Sequence, residues 1–314
     1  MMWWNRHNVE PAPDRVGTPE ERYAVARQFG TNGLAFLATL SAIPLAALTV
    51  PGLLLIGAIA LAPIAWLFWL SFRSGSDLTL EHYERLLHPS YTLSLQATFE
   101  LSFLVTAVCI ALGYPLAYLI SQLRPRLAAA LLLLVLFPVW TSLLVRCYAW
   151  LVLLQRRGVV NSWLQDMGLI EAPLRLMHNF TGTAIGMVHI MLPFMVLPLY
   201  ATMRTINRDY VRAAANLGAS PTQAFWHVFV PLSLPGLFAG IIIVFVLCLG
   251  FYVTPALLGG GRVMMWSMQI ERNVTYHSDW GAASALGVVL LAMTLAILWA
   301  VGRLIGFDRI VGGR

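Results

Sequence analysis

Long apolar stretches separated by short polar ones dominate the chain. A membrane span needs about 20 mostly apolar residues to cross roughly 30 Å of hydrocarbon. Residues 51–72, "PGLLLIGAIALAPIAWLFWLSF", meet that requirement. Further spans are predicted near 97–121, 128–154, 183–203, 234–258 and 282–305. The pattern therefore predicts an all-α membrane protein with six core transmembrane helices. Residues 33–50 are apolar as well, but Pro44 interrupts them and Pro51 stops them. They form either an extra N-terminal spanning helix or a lateral, interfacial one. The missing polar turn before Pro51 favours the lateral helix.

Composition agrees with a lipid solvent. Hydrophobic residues make up 59% of the chain and charged residues 11%, against about 25% charged in soluble proteins. The formal charge of +6 is then a matter of location, not a sign of nucleic-acid binding. All 20 basic residues are arginine, which excludes a phosphate-binding loop built on lysine. Basic residues stay on the cytoplasmic side. With the N-terminus inside, twelve arginines fall on the inner side and seven on the outer, with Arg146 left within a span. This makes 1–32 a cytoplasmic N-terminal tail, 51–305 the transmembrane domain and 306–314 a cytoplasmic C-terminal tail. The outer loops 73–94, 155–182 and 260–281 read as short amphipathic helices at the interface, where Trp and Tyr sit well. Cys109, Cys147 and Cys248 lie in apolar stretches without metal or redox spacing. The seven histidines are scattered. No catalytic residue and no metal ligand is assigned.

The polar interval 204–233 contains "DYVRAAANLGASPTQAFWHVFVPLSLPG", residues 209–236. Asp209 is the expected N-cap of a helix over 210–217. Ala213, Ala214 and Ala215 favour helix and leave a low-profile face. Gly218 suits the left-handed residue that ends a helix. After Ala219, Ser220 and Pro221 read as N-cap and first residue of a second helix carrying Phe225, Trp226 and Phe229. Pro231 and Pro235 are expected to break it before the next span. From shape alone, a surface connector and a docking element both remain open. A DNA-reading helix–turn–helix does not fit, because both ends are pinned to the bilayer.

This loop resembles the signature of binding-protein-dependent ABC importer permeases, E-A-A-x-x-x-G followed after nine residues by I-x-L-P. The matching positions are Arg212-Ala213-Ala214, Gly218 and Val228-x-Val230-Pro231. The stretches "GYPLAYLIS" (113–121), "FPVWTSLLVRCYAWLVLLQRRGVVNSWL" (137–164), "MLPFMVLPLY" (191–200) and "GFYVTPALLGG" (250–260) look like the spermidine/putrescine-type branch. The resemblance covers roughly residues 50–305. One departure stands out: Arg212 occupies the position where the family usually has Glu. Counted from Asp209 as cap, it is the third helical residue, where Glu would complete a capping box. Arg212 instead has Asp209 one turn back, a pair worth about a few tenths of a kcal/mol.

The resemblance implies an ABC importer permease fold in a bacterial inner membrane. It implies a second permease subunit, two ATPase subunits that hold ATP and Mg, and an external binding protein that delivers a polyamine-type solute. No cofactor would be bound by this chain itself. Ionisable and aromatic groups within spans are functional candidates. Arg146, Glu100, Trp140, Tyr148, Trp150 and Tyr252 are the candidates for the translocation path. The scarcity of buried acid leaves opine-like or other small organic solutes open. A self-sufficient secondary carrier or channel is the alternative, but it needs an ion-coupling carboxylate at mid-membrane, and none is available.

Overall fold

The computed structural model describes Glu20, residues 45–74 and residues 77–305. The two tails expected at 1–32 and 306–314, and residues 33–44 of the predicted lateral helix, lie outside the described residues apart from Glu20. By internal contacts the chain divides into one unit at 1–65 and a second at 66–314. The helix α1, Leu45–Ser71, runs through that boundary. Within Thr49–Ser71 the most apolar stretch of 18 residues has a mean hydropathy of 2.4. Pro51 and Pro63 lie inside it, so Pro51 does not stop the preceding apolar segment as the sequence suggested. Proline disrupts an interior helix by removing one donor and crowding the carbonyl four residues back, and here the ladder continues past both.

In the second unit a two-residue ladder, β1 Arg73–Ser74 with antiparallel β2 Asp77–Leu78, precedes short helix α2, Glu81–Arg85. The remaining helices are α3 Pro89–Gln122, α4 Pro125–Trp140, α5 Leu143–Leu153, α6 Val159–Asp166 and α7 Phe180–Thr205. They continue with α8 Arg208–Asn216, α9 Pro221–Leu249, α10 Val253–Leu258, α11 Trp266–Thr275 and α12 Trp280–Ile305. Among the described residues five helices are long and apolar enough to cross a membrane: α1, α3, α7, α9 and α12. A sixth is counted if the pair α4 and α5 makes one span.

The core lies where α7 packs against α3 and α9. Half of the most apolar window of α7 is buried, more than in the other spans. Membrane helices gain no hydrophobic drive from leaving lipid, so close packing of small residues holds them together. Met195 of α7, fully buried, shows how. A β-carbon at Gly113 of α3 would stand 2.9 Å from its Cγ, and one at Gly240 of α9 would stand 2.7 Å from its Sδ. Gly236 similarly admits Thr202 and the Pro198 carbonyl of α7. The Gly236-x-x-x-Gly240 spacing is thus a packing face.

Two predicted spans are corrected. The segment 128–154 is not one helix: α4 and α5 meet at Thr141–Ser142 with a bend of 96°. The fifth span does not extend to 258 but ends at Leu249, where Gly250 follows and α10 begins separately. It also does not begin after Pro231 and Pro235. The second helix of the polar loop and the span are one element, because a π-helical turn at Phe225–Phe229 joins Pro221–Ala224 to Val230–Leu249. An extra residue per turn rearranges the ladder just before Pro231, where the missing donor would otherwise leave a gap.

The loops 73–94, 155–182 and 260–281 do carry short helices, α2, α6 and α11. Helix α11 is not laid on a surface, however: Trp266, Ser267, Met268, Gln269 and Asn273 are buried. Arg85 of α2 bridges Glu81 and, at 3.2 Å, Asp279. The hydrogen bond to Glu81 raises the Arg85 guanidinium above its ordinary value.

Candidate functional site

The loop between α7 and α9 is capped at every turn. Asn207, not Asp209, is the N-cap of α8: its side chain accepts from the Asp209 N–H at 2.9 Å. Asp209 instead sits in the first turn, where a carboxylate favours the positive helix terminus. Arg212 is therefore the fifth residue of α8 rather than the third, and a Glu at this position would not have formed a capping box. The expected pairing is present, with Arg212 Nη1 3.2 Å from Asp209 Oδ1. Both side chains are largely exposed, so the pair contributes less than about 1 kcal/mol.

Helix α8 ends in a Schellman motif. The Ala219 N–H bonds the Ala214 carbonyl at 3.0 Å, the Gly218 N–H bonds the Ala215 carbonyl at 3.0 Å, and Gly218 has φ +90°. The next residue starts α9 with a capping box. Ser220 Oγ accepts from the Gln223 N–H at 3.3 Å, and Gln223 Oε1 accepts from the Ser220 N–H at 2.9 Å. Pro221 fills the first helical position, where its missing donor costs nothing. Ser220→Ala is expected to destabilise this turn by about 1 kcal/mol, seen as faster amide exchange at Gln223 than in the parent protein.

The handle so formed presents Leu217, 90% exposed, beside Gly218, with Tyr210, Ala213 and Trp226 also exposed. Its inner side is fastened to α3. Tyr118 meets Phe225 and Phe229 edge-on at 5.2 and 5.0 Å. Tyr114 and Ser233 share a hydrogen bond of 2.8 Å. A pocket between these elements is lined by Tyr118, Ser121, Gln122, Arg204, Arg208 and Arg212, among others. Arg204 and Arg208 were not singled out in the sequence. Their four-residue spacing with Arg212 was the available signal, although Ile206 and Asn207 interrupt the helix between them.

The candidates for the path fall into two groups. On α5, Arg146 and Trp150 lie one turn apart, and Trp150 Nε1 donates to His189 Nδ1 of α7 at 3.2 Å. Arg146 Nε is buried with no hydrogen-bond partner among the described residues, and its charge is within electrostatic reach of His189. Neighbouring Cys147 is bonded to Thr254 of α10 at 3.3 Å, which fixes the rotation of α5. Trp140 and Tyr148 are exposed on the same bent pair, and Tyr252 borders α10. Glu100 stands apart. It is exposed and bonded along its own helix by Gln96 Nε2 at 2.7 Å. His189 was passed over in the sequence because a lone histidine within a span carries no local pattern.

Helix α5 opens without a side-chain cap, so its first amides have no side-chain partner at the bend. Non-helical backbone at membrane depth is tolerated only against protein or beside a water-filled cavity. The exposed face of the break is thus unsuited to lipid.

Known proteins extend this picture. The family described as binding-protein-dependent transport system inner membrane component matches residues 109–305. The spermidine/putrescine transport system permease protein PotB of Haemophilus influenzae is 33% identical over 241 residues, 74% of this chain and 84% of that protein. PotB of Escherichia coli K12 is 33% identical over 230 residues, 72% of this chain and 84% of that protein. A bacterial alginate ABC transporter, solved in complex with an alginate pentasaccharide-bound periplasmic protein, shares the fold. It has a TM-score of 0.65 and 17% identity, covering 86% of this chain and 95% of that one. On these matches the chain belongs to the binding-protein-dependent transport system inner membrane components, as an inner-membrane permease of an ABC importer.

Proposed function

We propose that this permease moves a small polar solute of the polyamine class and takes its driving force at α8 and the first turn of α9. The observation that carries the coupling role is the doubly capped turn at Leu217–Pro221, a rigid projection with an alanine face and, among the described residues, nothing within 4 Å of a β-carbon placed at Gly218. Two ATPase subunits would hold ATP and Mg and close beneath it. A second permease subunit would complete the path, and an external binding protein would deliver the solute. The arginine distribution supports cytoplasmic N- and C-termini. Membership in the family leaves no need for the self-sufficient carrier.

The path is assigned to the bent pair α4–α5, with Arg146, Trp150, Tyr148 and Trp140 as its candidates, Tyr148 on the opposite face of α5 from Arg146 and Trp150, and Tyr252 at its edge. The unprotected break at Thr141–Ser142 supports that placement, since lipid does not accept it. Glu100, exposed on α3, is the one acidic candidate. Polyamine as solute is supported by the two PotB relatives and by aromatic faces suited to an amine cation. A second reading, an opine-like solute bearing a carboxylate, is favoured by the buried Arg146 Nε, which has no hydrogen-bond partner among the described residues.

Gentle solubilisation of the tagged chain is expected to bring down an ATPase and a second permease; their absence would sink the assembly. In vesicles containing the whole assembly, radiolabelled spermidine uptake is expected to be competed by putrescine. Competition by octopine but not by putrescine would decide for the carboxylate-bearing solute.

A further inference from the structure

Helix α3 is fastened at both ends, and its two attachments lie on opposite sides of the membrane in the proposed topology. At the Gln122 end, Arg204 Nη1 of α7 donates to the carbonyls of Ser121 and Leu123 at 3.3 and 3.5 Å. Arg208 Nη2 of α8 donates to the Gln122 carbonyl at 3.3 Å. A helix leaves its last carbonyls without partners, and cations suit that terminus. The arginines therefore complete α3, Arg208 tying it directly to the handle and Arg204 to the end of α7 from which the handle projects. Tyr118, packed against Phe225 and Phe229, adds an apolar hold one turn earlier.

At the Pro89 end, α3 grips α11. Thr98 Oγ1 accepts the Trp266 N–H at 2.8 Å, and Gln269 Nε2 donates to Ser94 Oγ at 2.9 Å. Asn273 meets the Tyr91 hydroxyl at 3.4 Å. Thr98, Ser94, Gln269 and Asn273 are buried, so no water competes for these bonds. Between Thr98 and Tyr118, the inner limits of the two attachments, α3 runs about 20 residues, or about 30 Å at the helical rise. Pro115 interrupts its ladder, but there Gly113 seats Met195 and α7 supports the segment.

We infer that α3 is a strut carrying displacement of the coupling loop across the membrane to α11, with Arg204 and Tyr118 as positioning residues at its loaded end. This rests on the proposed docking of an ATPase at α8 and α9. A load on the handle reaches α3 through charge-assisted bonds to its terminal carbonyls, and α3 moves α11 because their contacts are dry and hydrogen-bonded.

The reporter is Tyr276→Cys, at the end of α11, where the side chain is 76% exposed. The three natural cysteines are buried and stay silent. In the purified whole assembly in lipid vesicles, ATP is expected to change the labelling of this site by a membrane-impermeant maleimide several-fold. Arg204→Gln combined with Tyr118→Leu abolishes that change while the ATPase remains bound. Arg204→Gln alone, at an exposed position, diminishes it, and Arg204→Lys restores part by keeping one donor. An undiminished ATP response in either Gln variant overturns the strut. Loss of the ATPase from the double variant overturns it as well, since these residues would then hold the partner rather than α3. A parent assembly that binds no ATPase overturns instead the docking reading beneath it.

Discussion

Gly236→Val is expected to separate α9 from α7 and to lower the thermal midpoint of the detergent-solubilised protein. A β-carbon at Gly236 would lie 2.5 Å from Thr202 Oγ1 and 2.7 Å from the Pro198 carbonyl oxygen. The threonine can rotate away, but the carbonyl belongs to the α7 backbone and moves only with the helix. Overpacking of a close interface costs about 1–3 kcal/mol where small shifts relieve it, and here two branched methyls follow the first clash. The neighbouring Gly240 sits against the same helix, with a β-carbon 3.2 Å from the Met195 carbonyl, so α9 cannot escape by sliding one turn. Gly287→Ala in α12 is the control. Nothing lies within 4 Å of its added carbon, and alanine favours helix by up to about 1 kcal/mol. An unchanged midpoint for Gly236→Val would show that the small-residue face does not hold the bundle together.

Gly218→Arg is expected to abolish association with the ATPase while the protein still inserts and folds. Two effects add. At φ +90° most side chains, arginine among them, are strained, by about 1–3 kcal/mol, which loosens the Schellman closure of α8. The arginine would also stand in open space beside Leu217, where the proposed partner must approach. Gly218→Asn separates the two, because Asn tolerates the left-handed region and is far shorter. Pull-down yield of the ATPase is expected to be lost for Arg and largely kept for Asn. Normal ATPase association and normal uptake with Gly218→Arg would remove the handle from the coupling mechanism.

The spans were legible because lipid imposes a length and a composition that few soluble segments share. The turn at Gly218–Pro221 was legible for a different reason. Schellman and capping-box bonds join residues three to five apart, so the residues that make them stand together in the chain. The cap of α8 was placed two residues late because Asn207 and Asp209 are both good caps, and only the chain direction at Ile206 chooses between them. Arg212 is misaligned for the same reason: its place in the helix changes with the start of α8, while its pairing with Asp209 does not.

Prolines were less informative than expected. Pro51, Pro115, Pro193, Pro198 and Pro235 all lie inside helices, while the sharp bend at Thr141–Ser142 follows Pro138 by three residues. In a bundle, neighbouring helices and local rearrangements support the freed carbonyls, so a proline marks a weak point without deciding whether the helix ends there.

From the sequence alone follow the apolar spans, the exclusion of a lysine phosphate loop and the capped turn of the handle, since each is set by composition or by near neighbours. Only the tertiary structure decided that 128–154 bends into two helices, that the loop's second helix continues into a span, that Trp150 meets His189, and that Arg204 and Arg208 close the end of α3. Those outcomes depend on distances between helices, which no short stretch of chain contains.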